Sequence, residues 1–389
     1  MAAPLPGHPL HGDPQQAWRW CERMAGQPCR LLLLLAGTDT AAVPGISAAG
    51  ATPASRRLTA AADAELLLLG PQRRQGVGLP PLPAGVTPAL IARVVVEQLG
   101  LDPLVVDLGA PVAPAVPHLR LPPALAGAPA RCLSTGAAMD PARVAGLLAL
   151  GRRWGERLAA RGRPVVLAEC VPGGTSTAQA VLQGLGVEAA GLVSGSLRAP
   201  AHGLKSDLVR RGLAAAGLPH APAAQAAPVE EAALAMAVAA AVGDPMQVLA
   251  AGLLQAAAAA ELPLLLAGGS QMAAVLALAL ALTPPPQRPQ LLAQAAVVTT
   301  AWVAAEPSSD LVALLSRIGD RWGGAPLAFA AGLRFSGCRS PELLAYEQGY
   351  VKEGVGAGGL ALLWELSGRP PAALAAACDH ACAQLRRQP

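Results

Sequence analysis

Three times along the chain a short, wholly apolar run stops at a cluster of glycine, serine and threonine, and each cluster opens into a longer, periodic stretch. The runs are residues 31–36 before GTDTAAVPGISAAG, 165–168 before ECVPGGTSTAQAVLQGLG, and Leu264–Ala267 before GGSQMAAVLALAL. A short apolar run bounded by turn residues and followed by a helical pattern reads as a buried strand. Strands alternating with helical stretches argue for a parallel sheet covered by helices.

Further strands are expected at residues 104–108, 295–303 and 327–330. Helices are expected at 141–161, 204–216, 230–242, 246–260, 360–366 and 372–386. The fold class that follows is α/β: a Rossmann-like, mostly parallel sheet flanked by helices, with a smaller helical portion from the chain termini. Pro/Ala-rich joints near 111–129, 218–228 and 284–289 are too short and too apolar to be flexible linkers. The chain therefore reads as one domain without internal linkers.

Composition limits what such a domain does. Hydrophobic residues make up 53% and charged residues 14%, which fits a packed core and not a disordered chain. Aromatics are only 3%, so that core is built from small and aliphatic side chains. The net charge of +4 is spread without a basic stripe, and no nucleic-acid partner is expected. The longest charge-free run, residues 262–287, is cut by Gly268-Gly269-Ser270-Gln271 and closed by Pro284-Pro285-Pro286. A membrane span needs about 20 continuous apolar residues, so none is expected and a cytosolic protein is. Residues 31–35 are too few for a signal-peptide core. The seven cysteines include no CxxC pair. Cys378 and Cys382 share a helical face near His380, but no second cluster completes a metal site, so no metal, cofactor or disulfide is expected.

Ligands of open α/β sheets bind beyond the carboxyl ends of the strands, where loop N–H groups and helix N-termini attract anions. Gly173-Gly174-Thr175-Ser176-Thr177 suits a phosphate: the glycines allow close backbone approach, and the three hydroxyls can donate. Gly268-Gly269-Ser270 is a smaller version of the same device. Either loop could equally be an ordinary strand-to-helix turn, and neither has the spacing of a Walker or dinucleotide fingerprint. Glu169 ends an apolar strand, where a carboxylate is costly to bury unless paired or functional; bonding to loop N–H groups is the plain alternative. Of 29 Lys plus Arg, only Lys205 and Lys352 are lysines. Lys205, at the start of a helical stretch, could contact a phosphate, while Lys352 reads as a surface charge. Glu353 then runs into Gly354, Gly356, Gly358 and Gly359. A carboxylate beside so permissive a backbone is a general-base candidate, with a helix N-terminal carboxylate as the structural alternative.

In order, PGISAAGATP with AADAELL, AECVPGGTSTA, LAGGSQMAAVLAL, TTAWV and AYEQGYVKEGVGAGG resemble the nicotinate-nucleotide:dimethylbenzimidazole phosphoribosyltransferase family of cobalamin biosynthesis. More narrowly they resemble its diverged cyanobacterial and archaeal branch. The resemblance spans roughly residues 31–366, which leaves residues 1–28 as an N-terminal extension and implies a single α/β phosphoribosyltransferase-like domain over residues 29–389 with a helical C-terminal part. It implies Glu353 as the catalytic base and places Glu169 in the substrate site. It implies Lys205 as the phosphate lysine and, more loosely, Ser336 and Gly337 as further phosphate contacts, with Gly354 beside the base. GGTSTA stands where the family pattern has GGTTTA, a change that keeps a hydroxyl. The implied reaction moves the 5-phosphoribosyl group of nicotinate mononucleotide to a heterocyclic base of the dimethylbenzimidazole type. The implied partners are those two small molecules and a second copy of the chain in a homodimer. Adenine as acceptor, or a non-catalytic nucleotide binder on the same fold, are the competing readings. Phe335, Tyr346 and Trp302 are candidates for the base pocket.

Overall fold

The computed structural model describes residues 6–72, 76–219 and 228–386; part of the 218–228 joint lies outside them. Its eight strands are β1 (His8–His11), β2 (Arg30–Leu35), β3 (Leu104–Asp107), β4 (Leu119–Arg120), β5 (Val165–Cys170), β6 (Leu264–Ala267), β7 (Ala295–Thr299) and β8 (Leu327–Ala330). They form one sheet in the order β1-β8-β7-β6-β5-β2-β3-β4. Every pairing is parallel except that of β1 with β8.

The strands are apolar on both sides because both faces are covered. Leu32, Leu34, Val165, Leu167, Leu264, Leu266 and Val297 point into one core beneath helices such as Pro141–Ala159, Gly174–Gly184, Pro245–Ala259 and Ser270–Ala281. Their neighbours Leu31, Leu33, Leu35, Val166, Leu265 and Val298 point into the other, as the two-residue pleat requires. That second core lies beneath helices Pro14–Met24, Thr59–Leu69, Ala89–Leu99, Ala357–Leu366 and Pro371–Leu385, so the helices of both chain termini gather there. Small residues make the first layer tight. A Cβ added at Gly151 would lie 2.2 Å from the Leu249 carbonyl oxygen, so helices Pro141–Ala159 and Pro245–Ala259 touch backbone to backbone.

Two sequence expectations change. The first 28 residues are no appendage in their described part. β1 supplies the antiparallel edge of the sheet, and Trp20 stacks on Phe329 of β8 with ring centroids 5.4 Å apart. β7 stops at Thr299 and does not continue to 303. The Thr300 side chain accepts the Val303 N–H and caps the short helix Ala301–Ala304. Among the described residues no helix is long and apolar enough to cross a membrane.

Candidate active site

The sheet changes direction between β2 and β5: β2 leads on to β3 and β4 on one side, β5 to β6, β7 and β8 on the other. Loops leaving the carboxyl ends of such neighbours part and leave a crevice. A cavity of about 330 Å³ opens there, lined among others by Glu169, Gly173, Gly174, Thr175, Gly269, Ser270, Glu353 and Gly354. Eight of the residues singled out from the sequence thus meet in one place.

Glu353 reaches the cavity on an unusual piece of backbone. Val351, Lys352 and Val355 have φ of 65°, 61° and 52°, a region that side chains larger than glycine rarely adopt and β-branched ones least of all. Just beyond, helix Ala357–Leu366 is laid on the strand ends. A Cβ added at Gly358 would lie 2.2 Å from the Thr299 carbonyl carbon, so only glycine permits the approach. This contact presents the helix's first N–H groups to the carboxylate. Oε1 of Glu353 accepts from Gly358 N at 3.0 Å and Gly354 N at 3.3 Å. Oε2 accepts from Thr299 Oγ1 and Thr300 N, each at 2.9 Å. Burial raises the pKa of Glu353 above the usual carboxylate value, and these hydrogen bonds oppose the rise without cancelling it.

Glu169, 3% exposed, faces the same space from the end of β5. Its Oε2 accepts the Val171 N–H at 3.1 Å, and Gln271 hydrogen-bonds it as well. Burial and the neighbouring Glu353 charge push its pKa up to about 8. Both carboxyls of the pair are thus pushed towards the protonated form by burial. Gly268 lies outside the cavity lining but against this group: a Cβ there would sit 3.6 Å from Glu169 Oε1.

The hydroxyls of the first glycine loop divide. Thr175 lines the cavity. Thr177 does not: its hydroxyl bonds to the Gly174 carbonyl at 2.9 Å and to Asp244 Oδ2 at 2.6 Å. Ser176 is fully buried with an unpartnered hydroxyl, away from the cavity. Helical rotation turns successive side chains by about 100°, so one residue of the three faces the crevice. Ser336 and Gly337 occupy an exposed turn outside the cavity.

Both lysines are buried at 1% exposure, which corrects the reading of Lys352 as a surface charge. Lys205 Nζ donates to the Ser194 carbonyl at 2.7 Å, and Lys352 Nζ to the Leu197 carbonyl at 2.7 Å. Lys352 also pairs with Glu306 at 2.5 Å. Burial lowers the pKa of Lys205 to about 7 and lowers that of Lys352. Lys205 thus stands behind the cavity wall and not in it. The two ammonium groups grip the carbonyls of a segment whose Ser194, Gly195 and Ser196 line the cavity.

The aromatic candidates are elsewhere. Trp302 lies 4.9 Å from Phe335 and 4.8 Å from Tyr346, centroid to centroid, in a core cluster that does not line the cavity. The wall is instead largely leucine, proline and valine, with two carboxylates not singled out from the sequence, Glu342 and the buried Asp63, 3% exposed. The signal of Asp63 was present, since TAAADAELLLL is a helix with two carboxylates on an otherwise small and apolar surface.

No family profile matches the chain. It is 51% identical over 368 residues to a UPF0284 protein of Parasynechococcus marenigrum strain WH8102, covering 94% of this chain and 89% of that one. A UPF0284 protein of Gloeobacter violaceus is 47% identical over 369 residues, covering 94% and 91%. Among solved structures, CobT from Thermus thermophilus matches with a TM-score of 0.57 at 18% identity, over 96% of this chain and 92% of that one. A nicotinate-nucleotide–dimethylbenzimidazole phosphoribosyltransferase structure from the same organism matches at 0.54 and 19%, over 96% and 91%. At those identities the likeness to the solved structures is one of fold.

Proposed function

The chain belongs to the UPF0284 family, and on that footing we propose that it is a phosphoribosyltransferase moving the 5-phosphoribosyl group of nicotinate mononucleotide to a heterocyclic base and releasing nicotinate. The observation that carries the reading is Glu353. A carboxylate with raised pKa is fixed by four N–H and O–H donors at the mouth of the sheet's crevice, beside a second buried carboxyl whose pKa is also raised. The shared fold with the Thermus thermophilus phosphoribosyltransferase supports it.

The chemistry suits what is present. The pyridinium ring of the donor leaves as neutral nicotinate nitrogen, so its departure needs no acid. The attacking ring nitrogen, through its lone pair, forms the new bond to C1′ on the opposite face, inverting it, and the ring becomes cationic; the N–H proton on the other ring nitrogen then passes to Glu353. A carboxylate offers about four lone-pair sites, and all four are engaged here. The Gly354 contact, the longest at 3.3 Å, is the one that yields to the acceptor's N–H. The N-termini of helices Gly174–Gly184 and Ser270–Ala281, with Thr175 and the Ser194–Ser196 wall, provide donors for the 5′-phosphate. Holding it brings C1′ and the acceptor nitrogen into line.

The test is incubation with nicotinate mononucleotide and a panel of nitrogen heterocycles, followed by chromatography of nicotinate and the new nucleotide. Base-dependent nicotinate release is expected. Binding of the mononucleotide without release by any base would overturn the enzymatic reading.

A further inference from the structure

Glu353 and Glu169 suffice for the proposed transfer, yet the cavity holds a third buried carboxylate. Asp63 comes from helix Thr59–Leu69. Its helical neighbour Glu65 is accounted for, since it accepts the Val77 N–H at 2.9 Å and the Ala115 N–H at 2.8 Å and so ties down two loops. Among the described residues Asp63 ties down no backbone. It lines the cavity on a wall made with Leu79, Pro81, Leu82, Val86 and Pro88, where a charge is expensive unless something uses it.

The hydrogen bonds of this wall show what it lacks. Thr87 Oγ1 donates to Asp63 Oδ1 at 2.6 Å, and the Cys170 thiol donates to Oδ2 at 3.3 Å. The remaining hydroxyl nearby, Thr59 Oγ1, donates to the Ala49 carbonyl at 2.5 Å. The side-chain donors of Thr59, Thr87 and Cys170 are thus all engaged, while each Asp63 oxygen retains a lone pair. Burial, partly offset by the two hydrogen bonds, raises the pKa of Asp63 to about 6, so above pH 7 the group is chiefly an acceptor. A ligand edge packed here meets acceptors, and an apolar edge would leave them stripped of water and unmatched.

We propose that Asp63 selects the acceptor base: the base carries a second N–H donor, an exocyclic amine on a bicyclic heteroaromatic ring, that bonds the Asp63 carboxylate while Glu353 takes the proton of the reacting ring. The inference rests on the phosphoribosyl-transfer reading and names the class of base that reaction takes. A wall that hydrogen-bonds a substrate donor discriminates against the analogue lacking it more sharply than an apolar wall discriminates by shape.

The experiment uses matched pairs, benzimidazole with 4-aminobenzimidazole and purine with 6-aminopurine, on the intact chain. Equilibrium binding by calorimetry and kcat/KM for nicotinate release are measured for each. The amino member of at least one pair is expected to be favoured on the order of 10²-fold, and Asp63→Leu is expected to remove that preference. Equal binding of both members in both pairs by the unaltered protein overturns the proposal, whether or not the variant folds. So does a preference that persists in folded Asp63→Leu. Because the binding arm needs no turnover, absence of nicotinate release with every base would sink the transfer reading and still leave the role of Asp63 decided.

Discussion

The ammonium of Lys352 lies 2.5 Å from Oε1 of Glu306, with side-chain exposures of 1% and 2%, immediately before Glu353 in the chain. Glu306 also receives the Ser194 hydroxyl at 2.5 Å. One buried ion pair thereby joins the loop carrying the proposed base to the wall of the cavity. Breaking such a pair from one side leaves an uncompensated charge. Lys352→Met and Glu306→Leu are each expected to cost about 3–5 kcal/mol of unfolding free energy in denaturant titrations. The double variant should recover a substantial part of that loss. Additive losses would mean that the two groups do not act as a pair.

Glu353→Gln keeps the shape of the side chain and removes its capacity to take a proton. Turnover is expected to fall by about 10²–10⁴-fold, with the calorimetric affinity for nicotinate mononucleotide little changed. Near-normal turnover would remove Glu353 from the proposed role.

Glu169 makes stability fall as pH rises. Its folded pKa of about 8 lies above the ordinary carboxylate value of about 4.3 in an unfolded chain. Between those values the folded state holds a proton that the unfolded state has lost, so unfolding free energy decreases with pH, and the full penalty is reached above the folded pKa. Glu169→Gln should be stabilised relative to the parent by an increment that grows from pH 5 to pH 8, on the order of a few kcal/mol at the upper end. Denaturation curves across that range check it; a pH-independent difference would contradict the burial argument.

Thr175 and Thr177 are two residues apart and should fail differently. Thr175→Val removes a hydroxyl that faces the cavity, so KM for the mononucleotide should rise with little loss of stability. Thr177→Val deprives buried Asp244 of its 2.6 Å donor and should cost about 1–3 kcal/mol. Kinetics and thermal melts on both variants separate the two outcomes.

Gly358→Ala forces a methyl group against the Thr299 backbone. Helix Ala357–Leu366 must retreat, which takes the Gly358 N–H away from Glu353. A loss of about 1–3 kcal/mol is expected together with reduced turnover. Full activity in a folded variant would show that this helix does not position the carboxylate.

What was legible in the sequence follows from which forces are local. β5 and β6 were readable because short apolar runs leading into glycine-rich turns have few other uses; Glu169 was marked by closing the first of these runs, and Glu353 by the separate glycines that follow it. β1 was not: HPLH has no strand pattern of its own, and its conformation comes from pairing with β8 more than 300 residues later. Lys352 and Glu306 stand 46 residues apart, so their union appears only once β7 and the strained loop are brought together. The choice among Thr175, Ser176 and Thr177 depends on the rotation of a helix whose start the sequence places only to within a residue or two. The scarcity of aromatic residues was plain in the composition, but not that Trp302, Phe335 and Tyr346 pack on one another and leave the cavity to proline and leucine.

The edge that β1 covers also bears on how the chain behaves among its neighbours. β8 is apolar and fully buried, and its outer hydrogen-bonding groups are occupied by residues 8–11. A chain begun at Arg30 would expose that edge together with the bared Phe329 ring where Trp20 now lies. An open, apolar edge strand is a template for intermolecular pairing. The opening segment, with no strand pattern of its own, thereby replaces an apolar, buried edge with a short and partly exposed one.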